Sequence, residues 1–158
     1  MQVQFTEKDF GWENYLKGTN KLDGCKTKVG FPDNGDMNND HTNLIANIAF
    51  INEYGMVYAD HQIPPRPFMR QTLQYPDSQN STQELMKEVS NAVRKGTSYP
   101  RVAMSKIGDH YTGEIRKTID RQNFTKLSNI TIALKGSSKI LVDTGTMYGS
   151  IKHVEVIP

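Results

Sequence analysis

The feature that most constrains the fold is a stripe of apolar residues at every fourth position in the second half of the chain. The stripe follows Pro100 and consists of Ala103, Ile107, Tyr111, Ile115 and Ile119. Residues four apart share one face of an α-helix, so the stripe predicts one long helix with a buried face. Gly108 and Gly113 interrupt it, and each costs about 1 kcal/mol relative to alanine in a helix interior. We therefore expect a close packing neighbour or a local kink at these glycines.

Period-two alternation predicts short strands toward both ends of the chain. Over residues 25–31, apolar or small side chains alternate with lysines, which predicts a half-buried strand. Two valines fall on one face of a second strand at residues 152–157, and similar alternation marks residues 3–5 and 130–134. Because helices are predicted between the strands, we expect an α+β fold. In it, a small antiparallel sheet from the N- and C-terminal strands packs against the long central helix and several shorter helices.

Capping and stop residues predict four further helices. The first spans residues 7–17, and the second runs from Thr42 as its N-cap to Gly55 as its C-terminal stop. The third covers Phe68 to about Gln74. The fourth runs from a Ser81–Glu84 capping box to Gly96. Residues 76–80, which separate the last two helices, are expected to be a break. Asp143 is expected to cap a single helical turn before the C-terminal strand.

Length and composition predict one domain with a lean core. A chain of 158 residues has the commonest size of a single domain, so we expect residues 1–158 to fold together. Hydrophobic residues make up 36% of the chain, which is fewer than usual for a self-contained core. Long polar loops, or a partner that completes the core, would each account for this. Residues 32–41 are rich in Asp and Asn and are expected to form a mobile acidic loop.

Charge and cysteine content exclude several classes of function. A net charge of +2 is too small to mark a nucleic-acid-binding surface, so we expect no sequence-specific DNA contact. The single cysteine, Cys25, can form no intramolecular disulfide. The four histidines lack zinc-ligand spacing, so we expect neither a metal nor another cofactor. The sequence also lacks a signal peptide and any membrane-spanning stretch, which predicts a soluble protein.

Three patterns resemble catalytic or phosphate-binding motifs, and each has a simpler structural interpretation. Leu-Val-Asp-Thr-Gly at residues 141–145 resembles the catalytic turn of aspartic proteases, but only 13 residues follow it, too few to complete that fold. Asp–His neighbours occur three times, yet adjacent side chains on a helix point about 100° apart. Residues 136–139 lack the first glycine of a phosphate-binding loop. A small hydrolase is therefore the less favoured alternative.

Two stretches combine a stiff backbone with an apolar anchor. The first joins Ile-Ala-Phe-Ile-Asn-Glu-Tyr-Gly (residues 48–55) to Ile-Pro-Pro-Arg-Pro-Phe-Met-Arg (63–70), and the second is Lys-Gly-Ser-Ser-Lys-Ile-Leu-Val-Asp-Thr-Gly-Thr-Met-Tyr-Gly-Ser-Ile (135–151). Stiff segments lose less entropy on docking, so both predict a protein interface, with Phe68 as an exposed aromatic anchor. The predicted interface residues are Pro64, Pro65, Arg66, Pro67, Phe68, Arg70, Asp143, Thr144, Met147 and Tyr148.

In this order the two motifs resemble those of the head–tail joining and tail-completion proteins of tailed bacteriophages, a group related to Mu-type virion morphogenesis proteins. Those proteins carry Asn-Glu-Phe/Tyr-Gly before Ile-Pro-Pro-Arg-Pro-Phe-Leu/Met-Arg, and later Lys-Gly-Ser-x-Lys-Pro-Leu-x-Asp-Thr-Gly-x-Leu-x-x-Ser-Ile. Here Ile140 stands where proline is usual, and Met147 where leucine is usual. The motifs cover well under half of the chain. The Pro-rich stretch usual before residues 131–135 is absent, and residues 33–40 have no counterpart.

The resemblance implies a non-enzymatic structural protein of the virion, made in the host cytoplasm and located in the neck between head and tail. The implied partners are further copies of the chain in a ring, a portal-side neck or adaptor protein, and the tail terminator or tail tube. We expect a hexamer, with a dodecamer as the alternative. DNA would pass through the lumen without sequence-specific contact, and no membrane is involved. A tail terminator or a monomeric adaptor of the neck is the alternative role.

Overall fold

The computed structural model describes residues 12–31, 40–96 and 99–158, which form an α+β fold. Its helices are α1 Trp12–Leu22, α2 Asp40–Tyr54, α3 Phe68–Thr72, α4 Pro76–Arg94, α5 Pro100–Asp120, α6 Asn129–Lys135 and α7 Thr146–Gly149. Its strands are β1 Lys26–Gly30, β2 Met56–Val57, β3 Gln62–Ile63 and β4 Lys152–Val156. The predicted strand at residues 3–5 and residues 32–39 of the predicted loop lie outside the described residues.

The predicted long helix, α5, supports the sheet at the centre of the fold. β1 and β4 pair in antiparallel fashion, from Lys26 opposite Val156 to Gly30 opposite Lys152, and both strands pack against α5. A methyl group added at Gly108 would lie 2.4 Å from the ring of His153 on β4, so this glycine allows the close approach that we expected. At Gly113 no such neighbour lies within 4 Å, so of the two expected alternatives, a close neighbour or a local kink, the first is wrong there.

The two valines of β4 do share a face, but that face points away from α5. Val154 is opposite Lys28 and Val156 is opposite Lys26, and both lysines are exposed. Directly opposed residues of an antiparallel pair lie on the same face of the sheet, so the face toward α5 carries His153 and Glu155 instead. The sheet thus packs against the helix through a partly polar layer.

Two clusters of buried apolar side chains form the core. The larger contains Ala49, Phe68, Ile115, Ile119, Met147 and Ile151, and therefore joins α2, α3, α5 and α7. The smaller contains Val89, Val93, Ala103 and Ile107 and joins α4 to α5, with α1 packed against α4. The stripe that predicted α5 supplies residues to both clusters. Among the described residues, no helix combines the length and the apolar content needed to cross a membrane.

The predicted break at residues 76–80 is wrong, because these residues form the first turn of α4. Pro76 occupies the start of the helix, where its fixed φ angle fits and its missing N–H needs no partner. Ser81 is therefore not an N-cap but an internal residue, and its hydroxyl donates to the carbonyl of Ser78. The C-terminal stop at Gly96 is confirmed by its φ of +67°.

The predicted strand at residues 130–134 is also wrong, because this stretch is α6. The Ser128 hydroxyl accepts a hydrogen bond from the N–H of Thr131 at 3.1 Å, and Gly136 ends the helix with a φ of +69°. These two local caps outweigh the apolar alternation. Smaller corrections concern α1, which continues to Leu22 rather than residue 17, and Thr42, which lies inside α2 rather than at its cap.

Candidate protein-binding cleft

The first motif folds into a structure that we call the Glu53 clamp, formed by Asn52, Glu53, Gly55, Arg66 and Arg70. The buried Glu53 carboxylate accepts hydrogen bonds from the backbone N–H groups of Met69 at 2.9 Å and Arg70 at 3.1 Å. These N–H groups belong to the first turn of α3, so the end of α2 caps the start of α3. The Arg70 guanidinium binds the same carboxylate at 2.9 Å and lies 4.7 Å from the ring centre of Tyr54.

Glycine and proline bring the two halves of the clamp together. Gly55 has a φ of +76°, and a methyl group added there would lie 2.8 Å from the carbonyl oxygen of Ile63 and 3.0 Å from Pro65. The carbonyl of Asn52 accepts a hydrogen bond from the N–H of Arg66 at 2.7 Å. Only glycine meets both the conformational and the steric requirement here. The intervening hairpin of β2 and β3 is thereby closed at its base.

Arg66 is buried and connects the clamp to a distant part of the chain. Its Nε donates to the carbonyl of Thr125 at 3.2 Å, in the segment that leads into α6. Burial lowers the pKa of the Arg66 guanidinium, since a charged group loses hydration there. The arginine, a predicted interface residue, ties two segments of the same chain together and also lines a cleft.

Phe68 is not the exposed anchor that the sequence predicted. It is 0% exposed and packs in the larger core cluster, with its ring edge-to-face against Phe31 at a centroid distance of 6.4 Å. The N–H of Phe68 bonds the carbonyl of Arg66 across Pro67, a tight turn that directs the start of α3 inward. The stiff proline segment therefore positions a residue of the chain's own core.

The second motif is fixed by hydrogen bonds with Gln122 and by a glycine turn, and Asp143 does not contribute to either. Ile140 is buried, and its N–H and carbonyl both bond the side-chain amide of Gln122, at 2.6 and 2.9 Å. The N-cap of α7 is Gly145, with a φ of +80° and no side-chain hydrogen bond. Because Gly145 and not Asp143 occupies the N-cap position, the prediction that Asp143 caps this turn is wrong. The Thr144 hydroxyl accepts a hydrogen bond from the N–H of Thr146.

Met147 and Tyr148 follow the turn and lie in different environments. Met147 is buried in the larger core cluster. Tyr148 donates its hydroxyl hydrogen bond to Asp120 at 2.9 Å, and its ring lies 5.8 Å from the Arg116 guanidinium. Burial raises the pKa of the Tyr148 phenol, and the bond to Asp120 adds to the effect. Both residues therefore attach α7 to α5.

The two motifs meet at one open cleft of about 1030 Å³. Its walls come from α2, from β3 with the proline segment, from residues 126–135 and from residues 141–147. Five of the ten predicted interface residues line it: Pro64, Arg66, Asp143, Thr144 and Met147. Of the others, Pro65 is exposed and Pro67 half-buried, Phe68 and Tyr148 pack as described, and Arg70 faces the other side of α2.

Sequence reasoning missed the most exposed apolar part of this region, which is α6. None of the α6 residues is buried, and Ile130 and Leu134 are 74% and 86% exposed. These two residues, one helical turn apart, define what we call the α6 surface. Lys126 and Lys135 line the cleft beside it, and the Lys135 ammonium donates to the carbonyl of Lys139. The sequence signal for this helix was Ser128, a favourable N-cap residue. The apolar alternation at residues 130–134 predicted a strand instead.

A second apolar depression, which we call the groove, lies between α2, α3 and β1 and has a volume of about 510 Å³. Phe50, Tyr54 and Leu73 line it and are each more than half exposed. The rings of Phe50 and Tyr54 lie 4.8 Å apart. Phe31 and Met69 contribute its deeper wall. Helix α2 therefore presents apolar side chains to the core, to the cleft and to the groove.

The Asp–His pairs behave differently from one another. Asp60 and His61 are in contact at 2.7 Å on an exposed turn, although neighbouring side chains were not expected to meet. His110 instead contacts the Thr82 hydroxyl at 3.0 Å, and Asp109 lies 3.7 Å from His153. The side chains of the remaining pair, Asp40 and His41, are not among those that the structure describes. Within the described part of the chain, no group of three or more His, Cys, Asp or Glu residues could hold a metal ion.

A buried polar network between α4 and α5 was not visible in the sequence. The Ser78 hydroxyl donates to the Glu114 carboxylate at 2.5 Å, and the Lys117 ammonium donates to its other oxygen at 2.6 Å. Burial alone would raise the pKa of Glu114, but the bonds from Lys117 and Ser78 outweigh this and lower it. Because Ser78 and Glu114 are buried between packed helices, this network joins the helices.

Comparison of the chain with family models, with curated proteins and with solved structures finds no match. The site is therefore interpreted from its own geometry. The cleft is open and is lined by both apolar and polar side chains, with Lys126 and Lys135 among them. It lies beside α6, whose Ile130 and Leu134 are exposed. Such a surface has the properties of a protein-binding site.

Proposed function

We propose that this chain is a structural protein of a tailed-bacteriophage virion that forms a ring in the neck and joins the head connector to the tail. The observation that carries the proposal is the cleft in which the two motifs meet, with the α6 surface exposed beside it. The resemblance of the two motifs indicates the phage neck as the assembly. The cleft is the surface that we propose for contact with other subunits.

Energetics support an assembling protein. Burying a leucine or isoleucine side chain stabilises a complex by about 1.5–3 kcal/mol, and α6 leaves two of them in solvent. Helix α2 carries apolar residues on most of its circumference, and such helices are normally buried. In a ring, each copy uses two different surfaces, so that the contacts repeat and close. A hexamer is the proposed ring, in contact with a portal-side neck protein and a tail-side terminator or tube.

The net charge of the chain and the burial of its polar groups fit a non-enzymatic role. The net charge of +2 suits passage of DNA without tight binding. Ser78 and Glu114 resemble parts of a hydrolytic site, but both are buried between α4 and α5, so a substrate has no access to them. A hydrolase is accordingly not favoured.

The test is to measure the mass of the purified protein over a range of concentrations and to image it by negative-stain electron microscopy. Closed rings of about six copies are the expected result. A monomer that binds the portal-side or tail-side protein would favour the adaptor role instead. A monomer that binds neither, or hydrolytic activity of the pure protein, would contradict the proposal.

A further inference from the structure

Arg66 carries a positive charge that the chain itself does not neutralise. Its side chain is 7% exposed, and its Nε donates to the carbonyl of Thr125. Among the described residues, neither of its Nη atoms has a hydrogen-bond partner, and no carboxylate forms an ion pair with it. By contrast, Arg70 is paired with Glu53. A buried charge without a counter-ion is costly, so the guanidinium points to an anion that comes from outside the chain.

The cleft gives such an anion access to Arg66. Arg66 is one of the residues that line this open space of about 1030 Å³. Because Nε is already bonded, the edge of the guanidinium that carries the two Nη atoms remains available. The parallel N–H bonds of this edge match the two oxygens of a carboxylate. Burial lowers the pKa of Arg66, and no acidic group offsets that effect.

The other charged residues of the cleft also favour an anion. They are Lys126, Lys135 and Asp143, so the lining carries more positive than negative groups. Lys126 is exposed and forms no ion pair within the part of the chain that the structure describes. Asp143 is exposed and is not paired with Arg66. The positive charge of the cleft is therefore only partly balanced by the chain's own groups.

The apolar part of the lining distinguishes an acidic peptide from a phosphate backbone. Ile45, Ile48, Leu127 and Leu141 line the same cleft. A peptide that presents a carboxylate also carries neighbouring side chains, and these can cover apolar residues. The phosphates of duplex DNA are instead surrounded by further phosphates and offer little apolar surface. The combination of cationic and aliphatic residues therefore favours a peptide.

We infer that the cleft binds an acidic segment of a partner protein, in which an Asp or Glu carboxylate pairs with the Nη atoms of Arg66. An aliphatic side chain next to that carboxylate contacts the apolar wall. Lys126 adds a second positive charge and steers the segment toward the cleft. The inference rests on the proposed function, because it states the chemistry of the surface proposed there for contact with other subunits.

The first experiment selects ligands for the full-length protein from a displayed library of random dodecapeptides. We expect the bound peptides to be enriched in Asp or Glu beside Leu, Ile or Val, because the cleft offers Arg66 and an aliphatic wall together. Enriched peptides without an acidic residue would overturn the inference. The absence of any enriched peptide would overturn it as well.

The second experiment measures the affinity of the most enriched acidic peptide by fluorescence anisotropy. A matched peptide carries the corresponding amide, Asn or Gln, in place of the acid. We expect the amide peptide to bind about tenfold to hundredfold more weakly, since it cannot form the charged pair with Arg66. Equal affinity of the two peptides would contradict the proposed pairing.

Three variants locate the bound peptide. Arg66→Lys keeps the charge but removes the paired N–H groups, and should weaken binding of the acidic peptide about tenfold. Lys126→Gln should weaken it about threefold, with less effect at high salt. Lys152→Gln changes an exposed lysine outside the cleft and should leave binding unchanged. Circular dichroism checks the fold, and if R66K is unfolded, K126Q and the peptide pair decide the outcome. Equal binding to wild type and K126Q would place the peptide elsewhere and overturn the inference.

Competition with a short duplex DNA at constant ionic strength tests the other polyanion. We expect the DNA to displace the peptide only weakly, because it cannot cover the aliphatic wall. Tighter binding of the DNA than of the peptide would assign the cleft to phosphate groups and would overturn the inference.

These outcomes separate the inference from the proposed function. If rings form and the selection shows no preference for acidic peptides, the ring stands and the proposed chemistry of the cleft is wrong. If acidic peptides bind as expected but the protein forms no ring and joins no head or tail component, the cleft stands as an acidic-peptide site and the neck assignment is wrong.

Discussion

The Glu53 clamp and the α6 surface use their distinctive residues in opposite ways. In the clamp, Glu53, Arg66 and Arg70 find their partners inside the chain, and the proline segment delivers Phe68 to the core. On α6, the capping groups are satisfied locally, but Ile130 and Leu134 remain largely exposed in the part of the chain that the structure describes. The contrast teaches that a stiff, motif-rich segment can serve folding, while an exposed apolar surface can lie on a segment without an obvious motif.

The sharpest way to break this comparison is Phe68→Ala. If the proline segment serves the core, the substitution leaves a cavity among Ile119, Ile151 and the other core residues, and the free energy of unfolding should fall by about 3–5 kcal/mol. Urea denaturation measures the change. The matched control is Phe50→Ala, which removes an exposed ring and should cost about 0.5 kcal/mol or less. Similar effects of the two variants would contradict the burial of Phe68.

The next test removes the clamp carboxylate through Glu53→Ala. Two backbone N–H groups of α3 and the Arg70 guanidinium lose their acceptor, so we expect a loss of about 2 kcal/mol, discounted because Arg70 is half exposed. Thermal unfolding provides the measurement. Glu84→Ala, in an exposed position on α4, is the control and should change little. A neutral result at Glu53 would mean that the cap contributes nothing to the fold.

Arg66→Met sharpens the comparison, because Arg66 links the clamp to the segment before α6. The methionine keeps the apolar stem but removes the donor to the Thr125 carbonyl, which should cost about 1 kcal/mol. Hydrogen exchange should become faster in residues 124–135 and stay unchanged in α5. Uniform acceleration over the whole chain would show that Arg66 acts on global stability and not as a local link.

The smallest effect on folding is expected for Leu134→Gln. Because Leu134 is almost fully exposed, the free energy of unfolding of the isolated chain should change by about 0.5 kcal/mol or less. The same substitution should weaken the self-association that the proposed ring requires, because Leu134 lies on the α6 surface. A loss of stability comparable to that of Phe68→Ala would indicate that α6 belongs to the core, and the comparison between the two regions would collapse.

Sequence reasoning predicted the parts of the fold that depend on a regular period or on a single backbone requirement. The stripe of α5, the alternation of β1 and β4, and the stop at Gly55 are of this kind. It failed at residues 76–80 and 130–134, where a cap or an N-terminal proline outweighed composition. At residues 130–134 the apolar pattern contained too few residues to identify the period. At residues 76–80 the turn-forming residues that predicted a break are also common in the first turn of a helix.

The candidate site was predicted only in part, for a different reason. Pro64, Arg66, Asp143, Thr144 and Met147 do line one cleft, but their spacing along the chain gave no sign that the two motifs meet. Phe68 was assigned to the surface because the sequence cannot show that Glu53 caps α3 and turns its first residue inward. Long-range contacts of this kind follow from tertiary packing and leave no local signal.

The pairing of β1 with β4 has a consequence for biosynthesis. Because Lys26 of β1 pairs with Val156 of β4, most of the chain must be synthesised before β1 can form its sheet. Contacts between such distant residues form late and slowly. A chain without β4 would leave the edge of β1 that pairs with it open and the adjacent side of α5 uncovered. Unpaired strand edges and exposed apolar surface make such a chain prone to aggregate.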